Sequence, residues 1–88
     1  MELAKILGKN INYYRNLNNL SQERLAEKLG ISPKYLSRIE CGKQCLSLSK
    51  IEKLAIIFKI SPYKLFMDIQ TSSTKNTVNG WITWVLWN

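Results

Sequence analysis

Residues 21 to 43, SQERLAEKLGISPKYLSRIECGK, constrain the fold more than any other stretch of the chain, because two short helical patterns meet there with their start and stop signals in place. Ser21 is suited to cap a helix by accepting a bond from a backbone N–H that has no partner inside the helix. Leu25, Ala26 and Leu29 then recur at helical spacing on one face, and Gly30 stands where a left-handed residue closes the helix. Ile31 is an apolar plug in the turn, and Ser32 is a second cap. Pro33 occupies the first helical position, where its missing N–H costs nothing and its fixed φ is already correct. In this second helix Tyr35, Leu36 and Ile39 are expected to face inward and Lys34, Ser37 and Arg38 outward, until Gly42 permits the exit.

The flanking segments continue the helical pattern. A helix is predicted from about Leu3 to Leu17, with Ile6, Ile11 and Tyr14 on one stripe, ending at Asn18-Asn19, a pair that tolerates positive φ. Leu48, Ile51, Leu54, Ala55 and Phe58 predict a fourth helix, started by Ser47 or Ser49; Ser49 with Glu52 has the spacing of a capping box. Ser61-Pro62 repeats the cap-plus-proline start for a fifth, short helix ending near Met67, with Leu65 and Phe66 inward. These segments agree on an all-α bundle of five helices, one domain over residues 1–69, with a core that must be efficient in a chain of 88 residues.

Thirteen Lys and Arg against six Asp and Glu give a formal net charge of +7 and a pI near 9.7, which suits a polyanionic partner or an anionic membrane surface. The chain has no histidine, and its two cysteines, Cys41 and Cys45, cannot complete a four-ligand zinc site within one chain. No metal or cofactor is therefore expected, and the thiols read as reduced and structurally minor, with a redox switch as the alternative. Paired thiols without a signal peptide point to a reducing compartment and a cytoplasmic protein, since Lys5 and Lys9 interrupt the start and no apolar run follows. Without histidine, a phosphate loop or paired carboxylates in a cleft-forming context, an enzyme is not expected.

Residues 11 to 66 resemble a Cro/repressor-type (XRE-like, lambda-repressor-like) helix-turn-helix domain. The resemblance is carried by INYYRNLNNLSQERLAEKLGIS, PKYLSRIECGK and SLSKIEKLAIIFKISPYKLF, in the family's order and spacing. It departs from the family at Asn19, where Gly is usual, and its register favours Ser47 as the fourth cap. The resemblance implies a transcriptional regulator that binds double-stranded DNA sequence-specifically, a repressor acting as a homodimer. The alternative is an antitoxin or other protein-binding module on the same scaffold. By the same resemblance Pro33, Lys34 and Arg38 match positions from which the recognition helix reaches bases, with Tyr35 and Ser37 beside them. Lys34 and Arg38, four apart, share a helix face and can both donate to guanine O6 and N7; the plainer reading is solvated charge or phosphate contact alone. Gln22 matches a phosphate-binding position at a helix N-terminus, and Lys43 with Gln44 would form the second phosphate clamp. Arg15 and Glu40 match a pair that holds the recognition helix structurally, so Arg15 is kept off the DNA surface.

After Asp68 the character changes. QTSSTKNTVN, residues 70 to 79, reads as a polar linker, and residues 80 to 88, GWITWVLWN, form the most apolar and most β-prone segment of the chain, without a family counterpart. It is too short to span a bilayer, and no membrane partner is expected. Three readings stay open for this part of the 70–88 region: a segment packed on its own domain or a reading-frame scar, an interfacial membrane contact, and a dimerisation arm. In the last, Trp81, Ile82, Trp84, Val85 and Trp87 would pair as a short β-strand with a second copy.

Overall fold

A computed structural model of the chain describes residues 2–68, and the fold below concerns those residues. Four α-helices and a 3₁₀ turn follow one another: α1 (Glu2–Leu17), α2 (Gln22–Leu29), α3 (Pro33–Glu40), α4 (Leu48–Phe58) and the 3₁₀ turn (Pro62–Phe66). Among the described residues every regular element is helical.

The boundaries follow from local chemistry. Ser21 Oγ accepts from the Arg24 N–H at 3.1 Å, and Ser32 Oγ from the Tyr35 N–H at 3.0 Å. Ser47, rather than Ser49, caps α4 by accepting from the Lys50 N–H at 3.4 Å. At the C-terminal ends the backbone turns left-handed: Asn19 has φ 57°, Gly30 φ 76° and Lys59 φ 60°. Beyond each of these turns the same bond closes the helix: Leu20 N–H to Arg15 O, Ile31 N–H to Ala26 O and Ile60 N–H to Ala55 O, so carbonyls left over by each helix are used.

The core is a single apolar cluster in which Leu7 and Ile11 of α1, Leu25 and Leu29 of α2, Leu36 and Ile39 of α3, Leu54 and Phe58 of α4, and Leu65 of the turn are buried. Helix α1 packs on α3 and on the 3₁₀ turn, α2 packs on α3, and α4 closes against the turn and α2. Tyr14 stacks on Phe58 with ring centroids 5.7 Å apart and meets the edge of Tyr13 at 5.1 Å. Partial burial, with Tyr13 and Tyr63 nearby, raises the Tyr14 phenol above its ordinary pKa of 10.0.

Three expectations are corrected. The inward face of α1 is Ala4, Leu7, Gly8, Asn10 and Ile11, with Ile6 and Tyr14 only half-buried. Leu48, placed on the α4 stripe by spacing, is 79% exposed, because as the first helical residue it precedes the part of α4 that touches the core. The fifth helix is a 3₁₀ turn, and Ser61 makes no side-chain cap. Its cause lies in Asn10, a side chain 1% exposed whose Nδ2 donates to Leu65 O and Met67 O, both at 2.7 Å. Those carbonyls are taken by a side chain of α1, and the backbone is already extended at Met67. The expected dimerisation residues Trp81, Ile82, Trp84, Val85 and Trp87 lie outside the described residues.

Gly8 marks the closest approach of two helices. A Cβ there would meet the carbonyl oxygen of Ile39 and lie 2.7 Å from that of Glu40, so glycine lets α1 lie against the last turn of α3. Helix propensity favours alanine over glycine by about 1 kcal/mol, whereas overpacking against backbone costs up to about 3 kcal/mol. Gly8→Ala is therefore expected to lower stability by about 2 kcal/mol in urea unfolding. A more stable variant would mean that α1 and α3 can separate freely.

Candidate nucleic-acid interface

Helix α3 is held by its inner face and free on its outer one. Leu36 and Ile39 anchor it in the core, while Pro33, Lys34 and Arg38 are exposed. Lys43 and Gln44, exposed in the loop that follows, are kept near its end because Gly42 takes φ 79° and the Lys43 N–H returns to Arg38 O at 3.0 Å. Lys34, Arg38 and Lys43 make no ion pair with a described carboxylate. One face of the domain thus carries three uncompensated cations around a short helix, the arrangement that a groove bordered by phosphates requires.

The two residues expected beside the readers are both half-buried, Tyr35 facing inward as expected and Ser37 less exposed than expected. Tyr35 is half-buried against the core, and its hydroxyl donates to Cys45 O at 3.2 Å. It braces the loop that carries Lys43 and Gln44. Ser37 is also half-buried and lies at the rim of the exposed face. Cys41 and Cys45 are exposed free thiols, and among the described residues no group of three or more His, Cys, Asp or Glu could hold a metal ion.

Behind this face lies the most heavily bonded side chain of the domain. Glu40, the last residue of α3, receives Arg15 Nε on Oε2 at 2.8 Å; the Glu40 side chain is 5% exposed and that of Arg15 12%. Its Oε1 accepts from Gln22 Nε2 at 2.9 Å and from Asn12 Nδ2 at 3.2 Å, with Arg15 Nη2 further out at 3.4 Å. Arg15 Nη1 donates in addition to Leu20 O at 2.8 Å, which fixes the turn between α1 and α2. One carboxylate therefore joins α1, α2 and α3, and both of its oxygens accept hydrogen bonds.

Gln22 gains a second role from this arrangement. It is the first residue of α2, where the backbone N–H groups of the opening turn have no partner within the helix. Ser21 Oγ takes the Arg24 N–H, and Glu40 fixes the Gln22 amide with one N–H still able to donate outward. Asn12 was missed in the sequence; its signal is its position three residues before Arg15, on the same face of α1.

The chain matches a helix-turn-helix family over residues 11–65. Control protein C.SmaI of Serratia marcescens is 40% identical over 65 residues, covering 74% of this chain and 77% of that protein. Among solved structures, the restriction-modification controller protein C.AhdI from Aeromonas hydrophila has a TM-score of 0.69 at 33% identity, over 75% of this chain and 100% of the other. A hypothetical transcription factor from Neisseria has a TM-score of 0.71 at 31% identity, over 80% of both chains.

Removing one member of a buried pair leaves the other charge stranded, at a cost of about 3–5 kcal/mol. Glu40→Ala and Arg15→Ala are each expected to lose that much in chemical unfolding, while Lys28→Ala, on an exposed face of α2, stays within about 0.5 kcal/mol of the parent. Equal midpoints for all three variants would show that the Arg15–Glu40 contact is screened by solvent.

Proposed function

The chain belongs to the XRE-type helix-turn-helix family, and from that premise we propose that it binds double-stranded DNA sequence-specifically, represses transcription and acts as a homodimer. The observation that carries this reading is the outward face of α3, with Pro33, Lys34 and Arg38 exposed, Ser37 at its rim and Lys43 just beyond, none of the cations paired with a carboxylate among the described residues. An α-helix fits the major groove, and Arg and Lys read guanine there through O6 and N7. Arg38 and Lys34 are the proposed base readers. Gln22 at the start of α2 and Lys43 with Gln44 after α3 are the proposed phosphate clamps on either side. Tyr35 contributes by bracing the loop of Lys43.

One short recognition helix reads too few base pairs to be selective, and two copies on a two-fold site double the number read. Homodimer binding follows from that requirement, and repression follows most simply from covering a promoter. Likeness to two control proteins, one of them a restriction-modification controller, supports a gene-control role for this chain. No helix among the described residues is long and apolar enough to cross a membrane; a cytoplasmic location is part of the proposal and follows from the proposed work on DNA.

Binding to a duplex selected from a random pool is expected to weaken steeply between about 50 and 200 mM salt, because each neutralised phosphate releases counterion. Arg38→Ala should cost about 1–3 kcal/mol and relax the preference at one base pair, whereas Lys43→Ala should weaken all sequences equally and flatten the salt dependence by about one unit of slope. Affinity that does not change with salt, or an Arg38→Ala variant with unaltered sequence preference, contradicts the assignment.

A further inference from the structure

The two cysteines are the part of the proposed DNA surface that base reading and phosphate clamping leave unused. Both thiols are free and exposed, and they enclose Gly42, Lys43 and Gln44, the loop of the proposed second clamp. Each end of that loop is fastened to α3. Cys41 follows the last helical residue and its N–H bonds Ser37 O at 3.0 Å, while Cys45 O accepts from the Tyr35 hydroxyl at 3.2 Å. Between the two, Gly42 is left-handed at φ 79° and the chain bends sharply at Lys43. Steps of about 3.8 Å per residue, folded at that bend, leave the Cα atoms of Cys41 and Cys45 no more than roughly 10 Å apart. A disulfide tolerates up to about 7 Å, so a short movement of the loop brings the two sulfurs together.

We propose that Cys41 and Cys45 are a peroxide-sensitive thiol pair whose disulfide displaces the Lys43–Gln44 loop and weakens DNA binding, a regulation that rests on the function proposed above. Hydrogen peroxide is the oxidant. One sulfur attacks a peroxide oxygen: an S–O bond forms, the O–O bond breaks, and the leaving hydroxide departs as water with the thiol proton. The second sulfur attacks the resulting sulfenic sulfur, so that S–S forms, S–O breaks and a second water leaves with the second proton. Two thiols thus give up two electrons, and one peroxide becomes two waters. Both attacks need accessible sulfurs, and both thiols are exposed. Closing the bond draws Cys45 toward the end of α3. The segment between then shifts against Arg38 O and the Tyr35 hydroxyl, which position it in the reduced protein. A phosphate clamp positions and does not read, so the loss falls on all sequences alike.

The test uses the full chain, reduced, then treated with hydrogen peroxide, then reduced again with dithiothreitol, beside Cys41→Ser and Cys45→Ser. Intact mass and a tryptic digest report the bond: Lys43 lies between the two cysteines, so trypsin separates them in the reduced protein and leaves two joined peptides in the oxidised one. Affinity is measured for the selected duplex and for an unrelated one, and far-UV circular dichroism verifies that the helices survive oxidation. The expected oxidised species is a monomer lighter by two hydrogens that binds both duplexes about tenfold more weakly, the loss of one charge-assisted contact. Dithiothreitol restores the affinity, and both serine variants bind like the reduced parent before and after peroxide. Chains cross-linked to one another, or thiols oxidised separately to sulfinic acid, overturn the proposal. An internal disulfide that leaves affinity unchanged overturns it too, as does a loss of affinity that persists in both serine variants. A reduced protein that binds neither duplex contradicts the function proposed above and the regulation with it, while the mass still decides whether the thiols pair.

Discussion

The buried carboxylate of Glu40 is the constraint from which the rest of the domain takes its geometry. It closes α3, and through Arg15, Asn12 and Gln22 it fastens that helix to α1 and α2. A lone carboxylate 5% exposed would be very costly, and the arginine alone would leave lone pairs unsatisfied; the two amides complete the set. The pair itself contributes little net stability compared with apolar residues of the same shape. Its effect is to tie the relative position of three helices to one set of hydrogen bonds, in which all four side chains take part.

That coupling bears directly on the proposed DNA surface. Reading base edges demands side chains placed to within a fraction of an ångström or so on rigid elements, and α3 is only eight residues long. Leu36 and Ile39 hold its inner face, Gly8 lets α1 approach its last turn, and Glu40 locks its end to the first residue of α2. The proposed phosphate clamp Gln22 and the proposed readers Lys34 and Arg38 are thereby placed in one frame. Apolar contacts supply the burial, and the polar cluster fixes which packing is adopted.

Much of this was legible in the sequence because its causes are local. A serine followed by a proline, or a glycine after an apolar stripe, determines a helix end through groups one to four residues away, and Ser21, Ser32, Gly30 and Asn19 act within that range. The features that escaped depend on partners far along the chain. Asn10 looks like an ordinary polar helix residue until the carbonyls of Leu65 and Met67 arrive at its amide, and Gly8 looks like a weak point in α1 until the carbonyls of α3 lie over it. Leu48 was misplaced because spacing alone cannot tell whether the first turn of a helix has reached the core. In the candidate site, Arg15 and Glu40 were paired through the family resemblance, while Asn12 and the Glu40 bond to Gln22 appear only in the folded arrangement.

The central claim, that Glu40 and Arg15 act as one unit which determines how the helices meet, is tested most directly by a double-mutant cycle on unfolding free energy. Glu40→Leu and Arg15→Leu are compared singly and together. The account predicts that each single change loses about 3–5 kcal/mol, because the charge left behind is buried without its partner, and that the double variant loses far less than the sum of the two. Strictly additive losses would contradict it, and would mean that the two side chains stabilise the domain independently.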